Sequence, residues 1–180
     1  MRRATALLPL AVVAALAGCA PTTASGVPVG GVTPITAPPA ASPTGGVSAE
    51  AWVSSMLARV NAERANAGLG PLQLCGNLGT AAQRHSDDQA ARSVMSHTGS
   101  NGSTMAQRVQ AAGYVGWNAL AENVAAGQPT VDSVVSAWMG SAGHRANLLS
   151  ATYVHVGFGR ATSSSGTPYW TQDFGRGGSC

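Results

Sequence analysis

The chain has 180 residues, a formal net charge of +3 and only 9% charged side chains, a length that suits one domain with processing and linker segments and excludes a second core. Two of its arginines, Arg2 and Arg3, fall in an export signal, so the processed protein is close to neutral. No stretch clusters several arginines, which excludes the basic footprint that nucleic-acid binding requires.

Taken in order, Arg2 and Arg3 form a positive n-region, and the run from Ala4 to Leu16 is apolar for about 13 residues. A spanning helix needs roughly 20, so this run reads as a signal peptide over 1–18. It ends in Leu16-Ala17-Gly18-Cys19, which resembles a bacterial lipobox, with Cys19 as the lipidated residue; an ordinary cleavage site beside a chance cysteine is the alternative. Thioether-linked and N-linked acyl chains together would give the multiple buried chains that stable anchoring needs. Residues 19–47 carry no charged side chain and no sustained periodicity, so they read as a tether that buries too little apolar surface to fold.

The folded domain is expected over 48–180. Ser48 is placed as an N-cap, with Trp52, Met56, Leu57 and Val60 at helical spacing and a stop at Gly68. A second helix is expected over 77–91, with Leu78, Ala81, Ala82 and His85 on one stripe. A polar loop over 93–102 carries His97. Ser103 is taken to cap a third helix over 104–112, ended by Gly113, and residues 119–125 read as a strand or extended segment. Pro129 and Thr130 open a fourth helix through Met139, and residues 141–149 form a turn and short helix. Val154, Val156 and Phe158 alternate on one face, a turn follows near 163–166, and residues 168–174 return as a hairpin strand. The fold class is therefore α+β, helices flanking a small, mainly antiparallel sheet. With Cys19 lipidated outside the cell, Cys75 and Cys180 remain to pair, two free thiols being the alternative.

Six motifs in order, Val60-Asn61-Ala62-Glu63-Arg64 with Gly68-Leu69-Gly70-Pro71-Leu72, then Ser96-His97, Glu122-Asn123-Val124-Ala125, Gly143-His144-Arg145-Ala146-Asn147-Leu148-Leu149 and Tyr169-Trp170-Thr171-Gln172-Asp173-Phe174, resemble bacterial domains of the CAP superfamily. These are relatives of cysteine-rich secretory proteins, antigen 5 and plant pathogenesis-related proteins. The resemblance spans about 48–175 and implies a three-layer α-β-α sandwich whose central groove can hold a divalent ion such as Zn2+. Carried over residue by residue, it makes His97, Glu122 and His144 the metal ligands. Where many relatives have a fourth, acidic position, this chain has Ser141.

Two imidazoles and a carboxylate are a plausible Zn2+ set with one position open to water. Their separation in sequence does not by itself bring them together. Glu122 lies in an apolar segment, where a carboxylate needs a partner, and a structural Glu anchoring His97 is an equal reading to a ligand or base. His85 is read as a packed structural histidine outside the site, and His155 as a surface residue. The leading functional reading is a membrane-anchored, extracytoplasmic binding module, expected as a monomer, for a small hydrophobic molecule, an envelope component or a protein. A hydrolase is the alternative, with Glu122 as base on a metal-held water or Ser141 and His144, three apart, as a Ser/His pair. Catalytic candidates are thus Glu122, His144 and Ser141.

Overall fold

The computed structural model describes residues 49–180, so the signal, the Cys19 lipobox, the tether and the Ser48 cap lie outside the described residues. The elements run α1 (Ala49–Asn66), β1 (Gln73–Leu74), α2 (Gly76–Arg92), α3 (Met105–Ala111), β2 (Ala119–Ala126), α4 (Val131–Gly140), α5 (Ala142–Leu148), β3 (His155–Thr162) and β4 (Pro168–Arg176). The strands order as β1-β3-β4-β2, with β3–β4 and β4–β2 antiparallel and β1 parallel to β3. This is the α+β arrangement expected, with helices on both faces of the sheet.

Alternation along the strands sends residues to opposite layers. One face supplies Val156, Phe158, Trp170 and Phe174 to a core with Met56 and Val60 of α1, Val134, Val135 and Trp138 of α4, and Leu148 of α5. The other face is covered by α2. There Gly157 and Gly159 let the helix backbone lie against β3, since a Cβ on Gly157 would sit 2.6 Å from the Leu78 carbonyl oxygen. Both faces are thus buried. Val154, expected inside with Val156, is instead 41% exposed because it precedes the strand.

Local chemistry sets the ends. Thr104, rather than Ser103, caps α3: its side chain accepts from the Gln107 amide while Gln107 reaches back, a complete capping box. Ser93 ends α2 in the left-handed region at φ 54°, its amide on the Gln89 and Ala90 carbonyls. Arg64, 3% exposed, reaches from α1 to donate to the Leu148 and Ser150 carbonyls and so holds the C-terminal end of α5, where a cation is favoured. Cys75 and Cys180 form a disulfide with Cα atoms 5.1 Å apart, tying the chain end to the start of α2. His155 is half-buried rather than a free surface residue, because it meets the Tyr114 hydroxyl at 3.0 Å and the ring edge-on.

Candidate functional site

Strand β2 is an edge strand, and its Glu122 is the cross-strand partner of Asp173 on β4. Cross-strand partners share a face, so both carboxyl groups point into the layer between sheet and α2. Neither is exposed: Asp173 is fully buried and the Glu122 side chain is 4% exposed. Two carboxylates there would be costly without partners. Glu122 has them. His97 Nδ1 donates to Oε1 at 2.8 Å, and Arg108 Nη2 donates to Oε2. Asp173 finds no donor for either oxygen among the described residues. Burial first, then the adjacent Glu122 charge, raise the Asp173 pKa well above the usual carboxylate value against the opposing pull of Arg108, and so favour the protonated acid.

The loop bearing His97 is fixed from α2. His85 Nε2 donates to the Ser96 carbonyl at 2.7 Å, and the Ser96 amide donates to Gln89 Oε1 at 3.1 Å. Because a carbonyl only accepts, the proton of His85 is on Nε2, and burial lowers its pKa and keeps the ring neutral. Arg108 adds bonds to the His97 and Ser103 carbonyls. His97 is therefore held at backbone and at Nδ1 while its side chain stays 59% exposed. With Nδ1–H on Glu122, Nε2 is the nitrogen left to face a ligand.

His144 arrives from the other layer. Its carbonyl accepts from Asn123 Nδ2 at 3.1 Å, and Asn147 Nδ2 bonds both Asn123 Oδ1 and the Glu122 carbonyl, so α5 is stitched to the β2 edge next to Glu122. Burial and then the nearby His97 lower the pKa of His144, favouring a neutral ring. His144, Ser141, Trp138 and the exposed Met95 line an open crevice of about 250 Å3 along β2. Ser141 stands at the α4–α5 junction, and no hydrogen bond joins its hydroxyl to His144 among the described residues.

Both oxygens of Glu122 are engaged, and among the described residues no three His, Cys, Asp or Glu side chains are grouped to hold a metal ion. The donor set thus does not offer Glu122 as a third metal ligand, and the nitrogens it leaves uncommitted are Nε2 of His97 and those of the His144 ring. Sequence reasoning missed Arg108, the partner that Glu122 required. Its only sequence signal was a cation beside the buried Val109 in α3. It also left His85 outside the site, although that ring holds the His97 loop.

A model of the cysteine-rich secretory protein family, CAP, matches residues 57–174. The Bacillus subtilis protein YkwD is 34% identical over 127 residues, 71% of this chain and 48% of YkwD, so the chain spans about half the length of that relative. An extracellular protein containing an SCP domain from Bacillus anthracis superposes with a TM-score of 0.61 at 27% identity, over 69% of this chain and 40% of that one. An outer surface protein from Borrelia burgdorferi gives 0.63 at 21% identity, over 68% and 90%, a likeness of fold. No described helix is long and apolar enough to cross a membrane.

Proposed function

The chain belongs to the cysteine-rich secretory protein (CAP) family, and from that premise we propose that it is an extracytoplasmic binding module, tethered through lipid on Cys19, whose ligand is taken in the crevice along β2 that Met95, Ser141 and His144 line, next to His97. The observation that carries this is the arrangement of Glu122, locked by His97 and Arg108 and flanked by the buried Asp173 across the strand pair. A general base needs a lone pair directed at the proton it removes. This carboxylate instead has both oxygens engaged and orients the His97 imidazole, leaving Nε2 to face a ligand. Exposed Val94 and Met95 beside His97 add apolar contact area suited to a hydrophobic or mixed ligand.

A divalent ion, when bound, would supply a Lewis-acidic anchor for an oxygen or nitrogen of that ligand. His97 Nε2 and the neutral ring of His144 would hold it, and Ser141 in place of a carboxylate leaves the pair without added negative charge, so affinity is weaker than for an acidic four-ligand set. The extracellular and outer-surface character of the neighbouring proteins supports export, and the Leu16-Ala17-Gly18-Cys19 run supports anchoring.

The test is calorimetric titration of the full chain with ZnCl2, beside His97→Ala and His144→Ala, with ester and peptide hydrolysis followed on the same samples. Weak binding lost in both variants, without hydrolysis, is the expected result. Turnover abolished by Glu122→Gln would overturn the binding reading. Membrane partition unchanged by Cys19→Ala would remove the anchor.

A further inference from the structure

Ala81, His85 and Asp88 recur on one face of α2, and Arg108 and Ala111 on one face of α3, at the spacing that makes helical neighbours. Where the two faces meet, the small side chains of Ala81 and Ala111 leave a pocket of about 220 Å3 that shares no lining residue with the crevice along β2. Its remaining wall, residues 99–103, is fixed in place. The Ser100 amide donates to Asp88 Oδ2 at 3.0 Å, the Ser103 amide to Asn101 Oδ1 at 3.0 Å and the Gly102 amide to the Gly99 carbonyl at 2.9 Å. The pocket is therefore preformed, as small-molecule sites usually are.

Two of its buried side chains carry a polar atom with no partner among the described residues. His85 is fully buried, and because its Nε2 proton goes to the Ser96 carbonyl, Nδ1 keeps a lone pair that nothing meets. The Arg108 side chain is 10% exposed; Nη1 serves the His97 and Ser103 carbonyls and Nη2 serves Glu122, while the Nε proton has no acceptor. Asp88 adds a second acceptor, since Ser100 and Arg92 both bond its Oδ2 and leave Oδ1. Exposed Arg84 adds donors at the mouth. These atoms decide the class of ligand. An anion would meet the Nδ1 lone pair and the Asp88 carboxylate, a cation would meet Arg108 and Arg84, and a hydrocarbon would leave both orphaned atoms unmet. A hydroxyl answers both, since it donates and accepts at once. One water takes roughly 30 Å3 of such a volume, so a small carbon frame bearing several hydroxyls, its C–H face on Ala81 and Ala111, suits the pocket better.

We propose that the pocket between α2 and α3 binds a neutral polyhydroxy ligand, a single sugar ring or a polyol, through a hydroxyl that donates to His85 Nδ1 and accepts from Arg108 Nε, with a further hydroxyl on Asp88. The site rests neither on a metal nor on lipid at Cys19, so it stands apart from the function proposed above. His85 then has a use for each ring nitrogen: Nε2 holds the loop and Nδ1 takes the ligand.

The test is long-range 1H–15N NMR of the His85 ring in the 15N-labelled full chain, titrated with glucose, glycerol, sodium acetate and methylammonium chloride. A neutral probe should move Nδ1 saturably toward the position of a hydrogen-bonded nitrogen and leave the Nε2–H signal where it is. A response to glucose alone supports a sugar ring, to glycerol alone a polyol, and to both the shared chemistry. Ala111→Leu, at an exposed position of α3, should weaken the neutral probe about tenfold by filling the pocket. An Nδ1 signal that neither neutral probe moves would mean that water alone occupies the site, and would overturn the proposal. So would acetate or methylammonium moving Nδ1 as far as glycerol does at equal concentration, or a folded Ala111→Leu chain that binds as the parent does.

Discussion

Substituting Arg108 by Met keeps the unbranched stem of the side chain and removes the guanidinium charge from the buried ion pair with Glu122. The two side chains are 10% and 4% exposed, so solvent screens the pair weakly. Without Arg108, Glu122 retains His97 on Oε1 but lies on its other side against Asp173. Breaking a buried pair from one side costs about 3–5 kcal/mol, which for a domain of this size lowers Tm by roughly 10–20 °C. Glu122→Gln strands Arg108 in turn. Removing both charges together leaves no uncompensated ion, so the double variant should be more stable than the sum of the single effects by at least ~2 kcal/mol. Urea denaturation of the four proteins at pH 7 measures the cycle. Effects that add to within about 0.5 kcal/mol would refute the reading that Arg108 and Glu122 are coupled.

Asp173→Asn tests the neutral acid. Since the folded-state pKa is raised above the ordinary carboxyl value, the stability this group contributes is fully present below about pH 4 and is lost as pH rises through the folded pKa, each tenfold difference in proton affinity between folded and unfolded chain being worth about 1.4 kcal/mol. The Asn variant escapes that loss, so its advantage over the parent should grow between pH 4 and neutrality, and a pH-independent difference in urea midpoint would contradict the assignment. Cys180→Ser opens a loop of 105 residues, for which chain entropy gives a loss of about 4–5 kcal/mol. Matching denaturation curves for the variant and the oxidised parent would show that the bridge does not constrain the unfolded chain.

Where sequence patterns are local, they were sufficient. Met56 and Val60, or Val134, Val135 and Trp138, are spaced for one helical face whatever that face meets, and each lies in the core. Thr104 for Ser103 was a one-residue error of the kind that capping decides, since only the box formed with Gln107 distinguishes two adjacent hydroxyl residues. Strand β1 was invisible because two exposed residues carry no alternation, and its existence depends on β3, about 80 residues later.

The sequence by itself determined the helices, the hairpin, the family resemblance and the need of Glu122 for a partner, because apolar spacing, turn chemistry and the cost of a buried carboxylate act on neighbouring residues or on one residue alone. Which partner it took, only the tertiary structure decided. Arg108 from α3, Asp173 from β4 and the loop held by His85 meet Glu122 across 14, 51 and 25 positions of chain, and no local rule ranks such encounters.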